Sequence, residues 1–122
     1  MQLYFSPAIW LMPAYNSYGT WPASGEIDLV ESRGNRNMFH NGEHIGTQEA
    51  GSTLHYGPYP ALNGWERAHW IRRNPSGYDR NFHRYQLEWT PGKYVFISIQ
   101  HHKSQEHIHI LKLFFSHPVM AE

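Results

Sequence analysis

The sequence predicts an all-β domain of the β-sandwich kind, on three observations. Ten Gly and eight Pro are spread along the 122 residues, which makes many turns and leaves no room for long helices. Between the turns lie short apolar or alternating runs of strand length. Five Trp and eight Tyr supply enough ring surface to fill a sandwich core and still leave rings over for a ligand groove. A chain of this length builds one small domain and not two.

Composition also excludes classes of function. The formal net charge is zero and there is no basic stripe, so electrostatic capture of nucleic acid has no support. No run approaches the roughly 20 apolar residues of a membrane-spanning helix. The opening Met1–Phe5 lacks the basic start and apolar run of a secretory leader. There are no cysteines, hence neither disulfides nor a thiolate metal site, and nothing in the pattern calls for a cofactor. Oligomeric state is not encoded in any feature of the pattern.

In chain order, the first element is a buried strand predicted over residues 8–12, an apolar run bounded by Pro7 and Pro13. Trp10 faces away from Ile9 and Leu11, either as core filler or as a platform for the apolar face of a sugar ring. Residues 14–24 are rich in Tyr, Asn, Gly and Pro and form a loop. Trp21 in this loop is either a ligand-contacting ring or a packed Trp-Pro corner.

The loop delivers the chain to the stretch around which the rest is organised, Ser24-Gly-Glu-Ile-Asp-Leu-Val-Glu-Ser32. Side chains alternate along a strand, so Glu26 and Asp28 share one face and Ile27 and Leu29 the other. Glu31 falls on the wrong face of a regular strand. One inserted residue near Leu29-Val30, a β-bulge, brings it back, and bulges are common beside active sites. Three like charges on one face repel. That suits chemistry in which one carboxylate stays ionised while a neighbour keeps its proton. Glycoside hydrolysis uses such a pair, about 5–5.5 Å apart where configuration is retained. The plainer alternative is an edge strand decorated with acids against aggregation.

The polar turn 32–37 follows. Arg36 reads as solvated, and Arg33 lies close enough in sequence to Glu31 to offset its charge or to touch hydroxyl groups. Residues 53–58 read as a short strand ended by Gly-Pro, with His55 either structural or hydrogen-bonded to a carboxylate or the substrate. Residues 59–77 read as loops with one short strand near 68–71. Phe82–Thr90 is the clearest alternating strand, with Phe82, Arg84, Gln86 and Glu88 on one face and His83, Tyr85, Leu87 and Trp89 on the other. Thr-Pro-Gly then turns into a partner strand over 93–99. Beyond residue 100 five of the ten histidines crowd together. His107 and His109 lie at a spacing that permits weak metal binding, but no third ligand is fixed, so the expectation is no metal site. Residues 108–115 fit a helix or a strand.

The run Gly19-Thr-Trp-Pro-Ala-Ser-Gly-Glu-Ile-Asp-Leu-Val-Glu-Ser-Arg-Gly-Asn35 resembles glycoside hydrolase family 16, in its laminarinase-like branch of endo-β-1,3-glucanases. That branch also holds the invertebrate β-1,3-glucan-binding and lipopolysaccharide-binding proteins of innate immunity. Pro7–Pro13, Thr53–Pro58 and Phe82–Pro91 match in kind and order, so the resemblance spans roughly residues 7–95. It implies a jelly-roll β-sandwich of the concanavalin A-like type whose concave sheet forms a polysaccharide cleft. It implies Glu26 as nucleophile, Glu31 as general acid/base and Asp28 between them, holding and tuning Glu26. Trp10 and Trp21 would line the cleft with His55 near the carboxylates, and the setting would be extracellular. Two functions follow from it: a retaining β-1,3-glucan hydrolase, or a glucan-recognition protein without catalysis. The resemblance stops near the Phe82 hairpin. Residues 1–99 are therefore expected to form part of a family 16 domain and 100–122 a divergent His-rich tail, the whole being an incomplete sandwich whose own activity is open.

Overall fold

A computed structural model describes residues 5–90, 94–101 and 109–113, with side chains through residue 89. The elements are β1 (Ala8–Leu11), β2 (Glu26–Ser32), β3 (Phe39–His40), β4 (Glu43–His44), β5 (Glu49–His55), β6 (His69–Arg73), β7 (His83–Thr90), β8 (Tyr94–His101) and β9 (His109–Leu113), with single 3-10 turns at Pro60–Leu62 and Trp65–Arg67. All strand pairings are antiparallel. The described part is all-β, as the distribution of Gly and Pro predicts. The strand expected near 68–71 runs His69–Arg73, and the ambiguous run after residue 108 is strand over His109–Leu113.

Two sheets make the layers. The first has the order β1-β2-β5-β6 and the second β7-β8-β9, with β3-β4 a separate hairpin. That hairpin turns on Asn41 (φ 51) and Gly42 (φ 80). A two-residue loop with both φ values positive matches the twist of its strands, and Asn-Gly is the pair that tolerates it.

The inner face of the first sheet packs against β7. Val30 and Ala50 meet Tyr78 and Tyr85, and Leu54 and Ala68 meet Ile27, Tyr56 and Leu87. The alternation of β7 explains this: His83, Tyr85 and Leu87 are half-buried, whereas Arg84, Gln86 and Glu88 are exposed. Trp89 departs from the pattern and is 65% exposed. On the edge strand β1, Ile9 and Leu11 point away from the carboxylate face and remain about half exposed. The strand is thus not buried as its apolar composition suggests, because β7 packs over β2 and β5 and the clusters it forms there include no residue of β1.

Candidate active site

The bulge expected from the spacing of the acids is present. Asp28 pairs with Thr53 and Glu31 with Gly51, so three steps along β2 match two along β5. On the other side Ile9 pairs with Val30 and Trp10 with Asp28, which leaves Leu29 as the extra residue. Ser52, fully buried, donates its hydroxyl to the Leu29 carbonyl at 2.7 Å, supplying a partner for backbone displaced from the ladder. Glu26, Asp28 and Glu31 consequently share the outer face of the sheet. Beside them lie His55, Thr53, Gly51 and Glu49 on β5, His69, Ile71 and Arg73 on β6, and Trp10 on β1.

The three carboxyls have different surroundings. Asp28 is 3% exposed. Burial first, then the charges of Glu31 and Glu26 and a hydrogen bond with Glu26, push its carboxyl up to about 7. Its Oδ2 lies 3.2 Å from His55 Nε2. Glu26 takes a 2.6 Å hydrogen bond on Oε2 from the Trp21 indole N–H. Glu31, at the other end of the row, is exposed and accepts the Thr53 hydroxyl at 3.2 Å. Thr53 Oγ1 is also 2.9 Å from His69 Nδ1.

Trp21 reaches the strand because its loop is fixed locally. Pro22 is fully buried and accepts from Gly25 N at 2.9 Å, and Ser24 donates to the Gly19 carbonyl at 2.6 Å. The Trp21-Pro22 peptide is cis. The indole ring lies 5.4 Å from the His55 ring, tilted by 47°. The structure thus joins Trp21, Glu26, Asp28 and His55 by direct contacts, and sets Glu31 beside them on Thr53, the strand neighbour of Asp28. Trp10 pairs with Asp28 in the backbone register and stands 54% exposed beside the row.

Two depressions flank the row. One of about 130 Å³ at the Glu31 end is lined by Ser6, Arg33, Glu49, Gly51 and His69. The other, at the Glu26 end, is apolar and bounded by Leu11, Met12, Tyr18, Tyr56 and Trp89. Among the described residues no group of three or more His, Asp and Glu is arranged to hold a metal ion. The side chains of His107 and His109 lie outside the described residues.

The sequence leaves the partner of Arg33 open. Its guanidinium serves Glu49 Oε1 and the Ile45 carbonyl, both at 3.0 Å, and not Glu31. Glu49 is 6% exposed and is also bound by Arg73, at 3.0 Å. Arg36 likewise is more than a solvated turn residue, since it pairs with Asp79 at 2.7 Å. Sequence reasoning missed Thr53, His69, Asn63 and Glu49. For Thr53 there was a readable signal, because it stands two residues before His55 on the same strand face.

No protein-family model matches the chain. Individual proteins do. A β-1,3-glucan-binding protein of Penaeus monodon is 44% identical over 85 residues, which is 69% of this chain and 22% of that protein. A glucan endo-1,3-β-glucosidase of Cryptopygus antarcticus is 38% identical over 85 residues, 70% of this chain and 27% of that one. A family 16 endo-glucanase structure from Bacteroides ovatus superposes with a TM-score of 0.61 at 26% identity, over 88% of this chain and 40% of its own. The chain thus spans about a quarter of the length of these curated relatives. Its described strands correspond to part of the solved family 16 endo-glucanase, a jelly-roll sandwich, and sequence and fold agree over the matched region. The chain belongs to glycoside hydrolase family 16, on the laminarinase-like side of that family.

Proposed function

We propose that the carboxylate row is the site of a retaining β-1,3-glucan hydrolase. The observation that carries this reading is the bulge at Leu29, which sets Glu26, Asp28 and Glu31 on one open face in three different environments. A row serving only to repel neighbours needs no buried member, yet Asp28 is buried and hydrogen-bonded within the row.

In this reading an ionised Glu26 oxygen attacks the anomeric carbon of the bound glucan. The bond from that carbon to the leaving sugar's oxygen breaks, and Glu31 gives that oxygen a proton. Glu31 then takes a proton from water, whose oxygen displaces Glu26 from the anomeric carbon and restores both groups. The Trp21 N–H and the Asp28 carboxyl hold Glu26 in place and ease its departure in the second step, since hydrogen bonds to a carboxylate favour its charged form. Asp28 and His55 position; Glu26 and Glu31 react. Trp10 and Trp21 offer rings to sugar faces along the cleft. The partner is a polysaccharide, met outside the cell.

A second reading is recognition of β-1,3-glucan without cleavage. The name of the Penaeus monodon relative favours it, at 44% identity. The two readings separate on incubation with laminarin, by counting new reducing ends and measuring retained binding. Hydrolysis that depends on Glu26 supports the enzyme. Binding with no new reducing ends overturns it in favour of recognition.

A further inference from the structure

We infer that Asn63 is a positioning residue that fixes His55 in the tautomer carrying its proton on Nε2, making the imidazole a constant donor to Asp28. Its role in turnover rests on the glycosidase reading above; the tautomer itself does not.

The orientation of the Asn63 amide decides the matter. Its Oδ1 accepts from two backbone N–H groups, Tyr56 at 3.3 Å and Trp65 at 3.1 Å. Turning the amide over would set its NH₂ against two donors, so the oxygen must face the backbone. The nitrogen then faces His55 Nδ1 at 2.9 Å. An amide NH₂ only donates, so Nδ1 must accept and carries no proton. A neutral imidazole holds one proton, which is therefore on Nε2, 3.2 Å from Asp28 Oδ2. The turn that presents Asn63 is itself tied to the end of β5, through Gly64 N to the Tyr56 carbonyl at 2.8 Å and Asn63 N to the Pro60 carbonyl at 3.2 Å.

The lock has a consequence for the acids. Asp28 and Glu26 of β2 face His55 together with the uncharged Trp21 ring. A proton on Nδ1 would point at the Asn63 amide, donor against donor, so the ring offers its Nε2–H to Asp28 while the Trp21 N–H serves Glu26.

The test is ¹⁵N NMR of the histidine side chains in the full chain near neutral pH, with His55 assigned by the signals lost in His55→Gln. The expected wild-type signature is an unprotonated Nδ1 and a protonated Nε2. Asn63→Asp, which offers a carboxylate to Nδ1, is expected to move the proton to Nδ1 and to lower kcat on laminarin with KM kept. Protonated Nδ1 in the wild type, a mixture of tautomers there, or an unchanged His55 spectrum in a folded Asn63→Asp would each overturn the assignment. The wild-type spectrum decides even where the variant does not fold. An Nε2–H signature in a protein that releases no sugar from laminarin upholds the tautomer and removes the glycosidase reading alone.

Discussion

Ser52 donates its hydroxyl to the carbonyl of Leu29 over 2.7 Å, at the point where β2 carries one residue more than β5. The bulge turns Glu31 to the outer face, and it also leaves a displaced backbone carbonyl beside the core. Ser52 has no exposed surface, so no water reaches this group from its side.

Ser52→Ala is therefore expected to destabilise the fold by about 1–3 kcal/mol, the cost of leaving a buried acceptor unpaired. Urea unfolding measures this directly. Because the bulge aims Glu31, the variant is also expected to lose turnover on laminarin while still folded. A variant as stable as the wild type would mean that the Leu29 carbonyl finds another partner.

The bulge was legible in the sequence because charge and apolarity alternate so sharply there. Glu26, Asp28 and Glu31 have one shared face only if a residue is inserted, and Ile27 and Val30 have a core only on the same condition. The strand β7 was legible for the same reason, its two faces differing in character at every position through Glu88. The hairpin of β3 and β4 carried a readable signal in Asn41-Gly42, although its strands are only two residues each.

The remaining partners of the site were not legible, because they come from register and from loop closure. Arg33 is two residues from Glu31, yet it binds Glu49. Ser32 pairs with Ala50, which continues to place Arg33 opposite Glu49, and directly opposed residues on neighbouring strands lie closer than alternate residues on one strand. Asn63 reaches His55 through a turn whose closure depends on backbone hydrogen bonds that no residue pattern announces. The strand β9 remained ambiguous because so short a run, with three apolar residues among its five, fits either period.

The raised Asp28 gives a pH dependence with a definite sign. Its carboxyl moves from an ordinary 3.8 to about 7 in the folded chain, so between these values the native state binds more protons than the unfolded one. Stability then falls as pH rises through that window, and the contribution is fully present only below it. Asp28→Asn cannot titrate, and its amide can still donate to Glu26 and accept from His55. Relative to the wild type it is expected to gain stability steadily from about pH 4 to about pH 7 and to level off above. Thermal midpoints of both proteins across pH measure the difference. A difference that does not change with pH would show that Asp28 is ionised throughout.

Trp21 contributes both a ring and an N–H, and Trp21→Phe separates them. The variant keeps an aromatic ring at this place but removes the 2.6 Å bond to Glu26 Oε2. Hydrogen bonds to charged groups contribute about 1.5–3 kcal/mol, which corresponds to a loss of roughly 10- to 100-fold in kcat where the bond matters to turnover. Laminarin KM is expected to change little. A rise in KM with unchanged kcat would assign Trp21 to substrate binding alone.

The two glutamates are separated by the quality of the leaving group. Cleavage between two sugars needs a proton on the departing oxygen, so Glu26→Gln and Glu31→Gln are both expected to lose activity on laminarin, by about 10²–10⁴-fold for the general acid alone. An aryl β-glucoside with an acidic phenol leaves without protonation. On that substrate Glu31→Gln is expected to release one equivalent of phenol rapidly and then stall, because the water that frees the enzyme has lost its general base. Glu26→Gln has no nucleophile and is expected to give no such burst. A burst from Glu26→Gln would exchange the two roles, and a loss confined to laminarin binding in both variants would favour the recognition protein. In the proposed reading, the exposed Glu31 beside the Thr53 hydroxyl takes the acid/base task, and Glu26 between the indole N–H and Asp28 that of nucleophile.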